Sequence, residues 1–447
     1  QQPTNHMSID SIDIAPFAAR RARLMEHMGS GLAVIPTAAE HLRNRDSHYP
    51  YRADSYFHYL TGFDEPDAVL LLIAGAHPQS ILFCRTKDAD KETWDGFRWG
   101  PEAACERFGF DAAQPIERFD AQFAELLADQ SSLWFSLGYD AIWDARIVGA
   151  LNEVRAQARN GKQTPAQIND IRMTLDAMRL VKDSSEIAIM RRAASISAEA
   201  HRRAMRATRP GRHEYEIEAE LLHEFRRRGC QATAYSSIVA GGANACILHY
   251  IGNDRILRDG DLLLIDAGGE LDGYASDITR SFPVNGRFSG AQADVYRLVL
   301  DAQIAAIAAI KPGASFLDPH EAALKVLVQG MLDLRLLQGS LDGIIESEAY
   351  KRFYMHRTSH WLGRDVHDAG AYKHGETWQI LQPGMLLTVE PGCYIRAADD
   401  VPVAFHNIGV RIEDDALVIA DGCEIITHEA PKSIRDIEAL MQEAANG

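Results

Sequence analysis

Two pairs of acidic residues, each carried by strand-like apolar segments, constrain the fold of this chain more than any other feature. The first pair is Asp266, which ends the run DLLLID, and Asp277, eleven residues further on. A hairpin that turns about the midpoint, between Leu271 and Asp272, places these carboxylates opposite each other, with Cβ atoms about 4.5–5.5 Å apart. Like charges that close need a cation between them. The alternative is a looser turn in which Asp272 and Asp277 are solvated and Asp266 caps the strand.

The second pair repeats the pattern. Glu390 lies in LLTVEPGCYI and Glu413 lies in IGVRIEDD, and both runs are rich in β-formers. A hairpin closing at Val401-Pro402 sets Glu390 opposite Glu413. Four carboxylates directed at one place stay ionised only beside cations of similar total charge, and two divalent ions would neutralise them.

Histidines provide the third signal. His356, His360 and His367 occur in FYMHRTSHWLGRDVHD, and His249 occurs in ILHY. A single histidine is more often a core or surface residue than a ligand. Three histidines in a glycine-containing, aromatic-flanked segment favour a functional site.

Several classes of protein are disfavoured. With 46 basic and 63 acidic residues, the net charge of −17 disfavours nucleic-acid and anionic-membrane partners. No GxSxG or complete P-loop motif is present. A zincin HExxH motif fails at every His-Glu pair, because the fourth position after each histidine is not histidine but Ile217, Arg227, Leu324 or Lys432.

Residues 8–180 alternate short apolar runs with helical patterns, which predicts an α/β domain with a largely covered sheet. The strand candidates are GLAVIP (31–36), AVLLLIA (68–74), ILFC (81–84) and LWFSLG (133–138). We place the domain boundary near Val181–Asp183. Residues 1–7, in which His6-Met7 resembles a cloning scar, are set aside.

Residues 181–447 have the pattern of an α+β domain. Asp183 and Glu186 form a capping box for a helix that runs to Thr208. Further helices are expected at Glu214–Arg228, Ala291–Ile310, Pro319–Leu337 and Ile434–Met441, and strands at Ser236–Val239, Leu262–Asp266, Leu386–Ile395, Ile408–Glu413 and Ala416–Ile419. Two helix pairs, each associated with strands, indicate a duplicated helix–strand unit.

The compartment is predicted from the cysteines and the amino terminus. The six cysteines are scattered and form no CxxC motif, which favours a reducing compartment, with paired cysteines in a secreted chain as the alternative. The first residues, QQPTNHMS, lack the apolar stretch of a signal peptide. The cytoplasm is therefore the expectation.

These motifs match a known family. The segments FYMHRTSHWLGRDVHD, LTVEPGCYI, GVRIEDD and LIDAGGELDGYASDITRSF resemble those of Xaa-Pro aminopeptidases (aminopeptidase P), members of the pita-bread metallopeptidases. YPYRADSYFHYLTGFDEPDAVLLL is similar to the amino-terminal domain of the bacterial enzymes. The resemblance covers nearly the whole chain and implies an α/β amino-terminal domain, residues 8–180, before an α+β pita-bread catalytic domain, residues 181–447.

The resemblance also implies roles for individual residues. Asp266 binds one metal ion, Asp277 and Glu413 bridge two, and His360 and Glu390 bind the second. His249, His356 and His367 correspond to histidines around the substrate, and Arg411 to an arginine behind the ligands. The carboxylate-rich set favours Mn²⁺, with Co²⁺ or Zn²⁺ as alternatives.

The implied activity is hydrolysis of the amino-terminal Xaa-Pro bond of peptides by a metal-bridging hydroxide. Glu390 would move the proton, and His249 or His367 would bond the oxyanion. Prolidase, which cleaves Xaa-Pro dipeptides, is the alternative function. A non-catalytic binding protein or a metal-independent amidinohydrolase of the creatinase kind would be expected to lack the ligands.

Relatives use the first domain for subunit contacts, so a homo-oligomer (a dimer or tetramer) is expected. Trp94 and Trp99, in ETWDGFRWG, are interpreted as structural residues rather than as part of a neighbour's cleft.

Overall fold

The computed structural model describes residues 13–446. Its contacts divide the chain into two compact units, one that ends at Met178 and one that begins at Arg179. The amino-terminal stretch in which the sequence indicates no signal peptide lies outside the described residues. Among the helices of the described part, none combines the length and apolarity that a membrane span requires.

The amino-terminal unit is built on one six-stranded mixed sheet. Its helices are α1 Ala15–Met28, α2 Ser55–Thr61, α3 Ala89–Asp95, α4 Gly100–Phe108, α5 Phe119–Leu127, α6 Ala141–Ala156 and α7 Ile171–Leu180, the last of which continues past Met178. Its strands are β1 Gly31–Pro36, β2 Leu42–Asn44, β3 Ser47–His48, β4 Val69–Ala74, β5 Gln79–Cys84, β6 Ala112–Pro115, β7 Ser132–Trp134 and β8 Gln167–Asn169. The sheet order is β6-β5-β4-β1-β7-β8, and β2 pairs with β3 separately.

Apolar side chains cover both faces of this sheet. Along β4, Leu70 and Leu72 join one buried cluster, whereas Val69 and Leu71 join another. Alternate residues of a strand point to opposite faces, so a continuous apolar run is what a sheet covered on both sides requires. The predicted α/β class is confirmed.

Two predictions in this unit are wrong. The run 133–138 forms a strand only as far as Trp134, and Leu137 beyond it is 45% exposed. Trp94 is 87% exposed because α3 buries none of its residues, whereas Trp99 packs edge-on against Phe108 as a structural tryptophan does.

The carboxy-terminal unit combines helix pairs with short antiparallel sheets. Its helices are α8 Ser184–Ala207, α9 Glu214–Arg227, α10 Gly290–Ala309, α11 Asp318–Asp333, α12 Leu341–Glu346 and α13 Ile434–Asn446. Its strands are β9 Ala232–Thr233, β10 Ile238–Gly241, β11 Leu262–Asp266, β12 Gly269–Glu270, β13 Thr279–Pro283, β14 Lys373–His374, β15 Thr377–Trp378, β16 Leu386–Val389, β17 Gly392–Ile395, β18 Ile408–Arg411, β19 Asp414–Ile419 and β20 Gly422–Ile425.

Helix α8 packs on α9, and α10 packs on α11. The larger sheets have the orders β10-β11-β13 and β16-β19-β20, and β17 pairs with β18. At the start of α8, the Asp183 side chain accepts from the Ser185 and Glu186 N–H groups, and Glu186 accepts from the Asp183 N–H. The predicted capping box is therefore present, and such a cap stabilises a helix by about 1 kcal/mol.

The first carboxylate hairpin turns one residue later than expected. Leu271 pairs with Tyr274 across Asp272-Gly273, whose φ angles of 49° and 75° are both positive. An Asp-Gly pair is favoured in such a tight turn because it tolerates this backbone conformation. The shift pairs Asp266 with Thr279 instead of Asp277, so the predicted direct opposition is wrong. Asp277 lies two residues along, as a diagonal neighbour.

The second hairpin has the predicted register. Val389 pairs with Asp414 and Gly392 pairs with Arg411, and this register aligns Glu390 with Glu413. Both strands are interrupted at this level, between β16 and β17 on one side and between β18 and β19 on the other. The two glutamates therefore lie at a break in the ladder.

A buried charge network holds the segment that contains His367. Asp368 accepts from Arg179 Nη2 at 2.6 Å and from Lys182 Nζ at 2.9 Å. All three side chains are 1% exposed. Arg179 also donates to Asp365 at 2.7 Å.

We expect Asp368→Asn to destabilise the protein by about 3–5 kcal/mol at pH 7, because it removes the counter-charge of buried Lys182 and one of the two carboxylates that Arg179 contacts. Burial raises the pKa of Asp368, but Lys182 and Arg179 outweigh it and hold the pKa below its usual value. Asp368 therefore contributes fully above the ordinary aspartate range, and its contribution is lost as the pH falls towards the folded-state pKa.

Urea unfolding of the wild type and the variant measures this difference, which should shrink as the pH is lowered from 7 to about 3. Asp365→Asn is the matched control, because the Asp365 side chain is 41% exposed. Asp365→Asn should lower the free energy of unfolding by about 1 kcal/mol or less. Equal losses in both variants, or a pH-independent difference, would contradict the prediction.

Candidate metal centre and substrate cavity

A cavity of about 470 Å³ in the carboxy-terminal unit gathers every residue that the sequence singled out for the site. Its lining includes Asp266, Asp277, His360, Glu390, Glu413, His249, His356, His367 and Arg411. Residues more than 160 positions apart in the chain meet here, so tertiary packing assembles the site.

The backbone around the two glutamates directs them into the cavity. The Glu390 N–H donates to the Thr358 carbonyl at 2.8 Å, and the Glu413 N–H donates to the Thr279 carbonyl at 3.0 Å. These bonds join Glu390 to the histidine segment and Glu413 to the first hairpin. At the break in the second ladder, these two hydrogen bonds therefore link the three segments that carry the acidic residues and His360.

Four carboxyl groups are close together. Tyr235 Oη lies 2.6 Å from Asp266 Oδ1 and also forms a short hydrogen bond with Asp277. Glu413 accepts from the Thr279 hydroxyl at 2.6 Å. Asp277, His360 and Glu413 each offer a ligand atom, and these atoms lie within 4.8 Å of one another.

The electrostatics of this cluster are unbalanced. Burial, followed by the charge of Asp266, raises the pKa of Asp277 well above its usual value. Burial likewise raises the pKa values of Glu390 and Glu413, with the nearest acidic neighbour as the second cause in each case. Among the described residues, no lysine or arginine forms an ion pair with these three groups. The cluster needs additional positive charge to be ionised at neutral pH.

Asp266 differs from the other three carboxyl groups. Burial raises its pKa, but Arg411, which donates from Nη2 at 2.7 Å, outweighs this effect and leaves the pKa below its usual value. Asp266 is thus the one member of the cluster with a guanidinium partner inside the described residues.

The His360 ring has a defined tautomer. Its Nδ1 lies 2.8 Å from the Trp361 carbonyl oxygen, which can only accept, so Nδ1 carries the hydrogen. The free lone pair is then on Nε2, which lies 3.4 Å from Asp277 Oδ2 and 3.6 Å from Glu390 Oε1. This backbone bond presents Nε2 to the carboxylates as a ligand atom, as in many metal sites.

His356 belongs to a different hydrogen-bonded chain. Arg411 Nη1 donates to Tyr394 Oη at 2.9 Å, and Tyr394 donates to His356 Nε2 at 2.8 Å. His356 Nδ1 donates to the Arg357 carbonyl. Burial, followed by the charge of Arg411, lowers the pKa of His356 to about 4. Both ring nitrogens are used, so His356 is a neutral wall residue and not a ligand.

His249 and His367 lie on the cavity wall as exposed residues. The His367 ring contacts the His360 ring edge-to-face, with centroids 4.4 Å apart. Burial, followed by the charge of His360, lowers the pKa of His367. Both histidines are accessible to a bound molecule.

Two members of the site were not predicted from the sequence. Tyr235 bridges Asp266 and Asp277, and Thr279 bonds Glu413. Placing the turn at Asp272-Gly273 would have identified Thr279 as the partner of Asp266. Nothing in the local sequence marks Tyr235, because its partners are 31 and 42 residues away.

This chain resembles known proteins along most of its length. Residues 188–420 match the family model for metallopeptidase family M24, and residues 17–134 match the model for the aminopeptidase P N-terminal domain. Together the two models span most of the chain, in the order that the sequence predicted.

The curated relatives include Xaa-Pro aminopeptidase of Escherichia coli (strain K12), which is 44% identical over 96% of this chain and 98% of its own. The Xaa-Pro aminopeptidase of Haemophilus influenzae is 45% identical over 95% of this chain and 96% of its own. Both relatives are matched along nearly their whole length.

Solved structures agree. Pseudomonas aeruginosa aminopeptidase PepP has a TM-score of 0.96 and 47% identity over 98% of this chain and 100% of that one. A zinc-substituted E. coli aminopeptidase P in complex with product has a TM-score of 0.95 and 44% identity over 97% and 99%. The resemblance read from the motifs is confirmed: the chain belongs to the aminopeptidase P family of M24 metallopeptidases, with an α/β amino-terminal domain and an α+β pita-bread carboxy-terminal domain.

Proposed function

We propose that this protein is a two-metal aminopeptidase that removes the amino-terminal residue preceding proline from peptides. The observation that carries the proposal is the convergence on one cavity of His360 Nε2 and four carboxyl groups, two buried and two half-buried. Among the described residues, no lysine or arginine pairs with three of these carboxyls. The relatives named Xaa-Pro aminopeptidase support this activity over that of prolidase.

The donor set fits divalent cations. We assign Asp266 to one ion, Asp277 and Glu413 to both, and His360 and Glu390 to the other. Three of these carboxyls have raised pKa values, and cations would return them to the ionised state. A set dominated by carboxylate oxygens favours Mn²⁺ over Zn²⁺, and a related enzyme was crystallised in zinc-substituted form.

Ions held here would polarise the scissile carbonyl and acidify water. The protein supplies the remaining functions. Glu390 lines the cavity with its Oε1 3.6 Å from His360 Nε2, a position from which its carboxylate can accept a proton and pass it on. His249 and His367 can donate to the oxygen that becomes negative in the transition state.

The cavity wall at His356 suits proline. An Xaa-Pro amide has no N–H to satisfy, and neutral His356 stands beside Tyr394 with both of its ring nitrogens already bonded. The Tyr394 and His356 rings are 5.6 Å apart between centroids. Such a surface offers ring contact without an unpaired polar atom directed at the proline nitrogen.

We also propose a homo-oligomer in the cytoplasm. Trp94, Ile142 and Met173 in the amino-terminal unit are more than 70% exposed, which supports a partner surface on that unit. All six cysteines have free thiols, which supports a reducing compartment.

Chelation should abolish cleavage of an Xaa-Pro-Yaa peptide, and Mn²⁺ should restore it, because the ligand set holds the ions that polarise the carbonyl. Elemental analysis of the chelated protein measures the residual metal. Full activity in protein shown to be metal-free would overturn the two-metal proposal.

His367→Ala should lower kcat about 100-fold, the effect typical of removing one donor to the oxyanion, and should leave the metal content near that of the wild type. His360→Ala is the matched comparison, since it removes a ligand atom and should lower both. Metal content after dialysis separates the two. If His367→Ala loses as much metal as His360→Ala, the assigned roles are wrong.

The enzyme should cleave Xaa-Pro-Yaa peptides better than Xaa-Pro dipeptides. A dipeptidase needs a cation for the proline carboxylate, ideally an arginine. The loop between the two glutamate strands carries Arg396, but this arginine donates to the Cys246 carbonyl at 3.0 Å and is absent from the cavity lining. Values of kcat/KM on a dipeptide and its tripeptide extension provide the measurement. A roughly tenfold dipeptide preference, equivalent to about 1.4 kcal/mol, would favour prolidase.

A further inference from the structure

The segment that carries His249 has little regular structure of its own. After β10 it forms a 3₁₀ turn at Gly242–Cys246 and then contains neither helix nor strand until Leu262. Leu248, His249 and Ile251 from this segment line the cavity. Because no sheet ladder fixes their positions, the geometry of His249 depends on side-chain anchors.

Glu214 provides the main anchor. It is the first residue of α9 and is 0% exposed. Its Oε1 accepts from the Gly241 N–H at 2.8 Å and from Asn244 Nδ2 at 3.0 Å. Its Oε2 accepts from Tyr250 Oη at 2.7 Å and from the Arg255 N–H at 3.0 Å. All four donors lie between positions 241 and 255, on both sides of His249.

This carboxylate is balanced by hydrogen-bond donors alone. Within the described residues, no lysine or arginine side chain forms an ion pair with Glu214. Its place at the start of α9 adds the positive end of the helix dipole. Hydrogen bonds to a charged group are stronger than neutral ones. Glu214 therefore fixes the segment firmly, although it does not line the cavity itself.

We propose that Glu214 is a positioning residue, which holds residues 241–255 so that His249 is directed at the reacting carbonyl. The proposal rests on the function proposed above, in which His249 donates to the developing oxyanion. Glu214 touches neither a proposed metal ligand nor the substrate cavity, so its effect reaches the reaction through His249.

Glu214→Gln is a sharp test because it changes the charge and keeps the shape. The amide nitrogen cannot accept a hydrogen bond. If it faces the Oε1 partners, the Gly241 N–H loses its acceptor. If it faces the Oε2 partners, Tyr250 can accept from it, but the Arg255 N–H loses its acceptor. Either orientation releases one backbone anchor of the segment.

We expect Glu214→Gln to speed hydrogen exchange of the amides in 242–255 and to leave the manganese content unchanged. On an Xaa-Pro-Yaa peptide, kcat should fall about 10- to 100-fold, as for a displaced catalytic group, with a smaller change in KM. Glu218→Gln, a partly exposed position on the same helix, is the control and should match the wild type. Tyr250→Phe removes one of the four bonds to Glu214, together with the longer bond to Asp254. It should have a smaller effect, which keeps the test available if the glutamine variant folds poorly.

A double-variant cycle tests whether Glu214 acts through His249. In the His249→Ala background, Glu214→Gln should lower kcat little further, because coupled residues are not additive. Additive losses, or unchanged hydrogen exchange in 242–255, would overturn the proposal. The exchange measurement needs no catalysis. If the wild type fails to cleave Xaa-Pro peptides, the proposed function fails, whereas the exchange result still supports or refutes the anchor.

Discussion

Mutual repulsion between four carboxyl groups, two buried and two half-buried, is the constraint on which the rest of the site depends. Packing brings Asp266, Asp277, Glu390 and Glu413 to one cavity, where burial raises the pKa of three of them. Such an arrangement is unfavourable in isolation, because each charge loses hydration and gains a like neighbour. It is typical of a site built for cations, whose binding then contributes to the stability of the fold.

Neighbouring side chains give the four carboxyl groups two different electrostatic environments. Arg411 neutralises Asp266 and, through Tyr394, also orients His356. One guanidinium thus connects the carboxyl cluster to the His356 wall of the cavity. The His360 ring, fixed by the Trp361 carbonyl, directs its lone pair at the remaining carboxyls. His356 has both ring nitrogens bonded, whereas His360 keeps a free lone pair on Nε2, because their backbone and side-chain partners differ.

The cavity histidines lie on weakly structured segments that buried charges hold in place. Glu214 holds the His249 segment with four hydrogen bonds, and Asp368 holds the His367 segment through Arg179 and Lys182. Buried polar anchors provide rigidity where the hydrogen-bond ladder is absent.

The sequence by itself determined the elements and most of the site. The bounds of β11 and the register of the Glu390–Glu413 hairpin follow from local alternation and symmetric spacing. The motifs identified the nine residues that the cavity brings together. Local patterns carry this information because strand alternation and turn chemistry act over a few residues. The Asp-Gly pair also marks the turn in the sequence, although the midpoint between Asp266 and Asp277 places the turn one residue too early.

Only the tertiary structure decided how these parts act on one another. Tyr235 meets Asp266 and Asp277, Arg411 meets Asp266 across 145 positions, and Glu214 meets the His249 segment. Likewise, Trp94 is exposed, although a structural role is expected for it from the sequence. Each of these features depends on which surfaces pack together. Periodicity along a single chain does not encode contacts between distant segments. The pKa values, tautomers and anchors of the site therefore arise from packing.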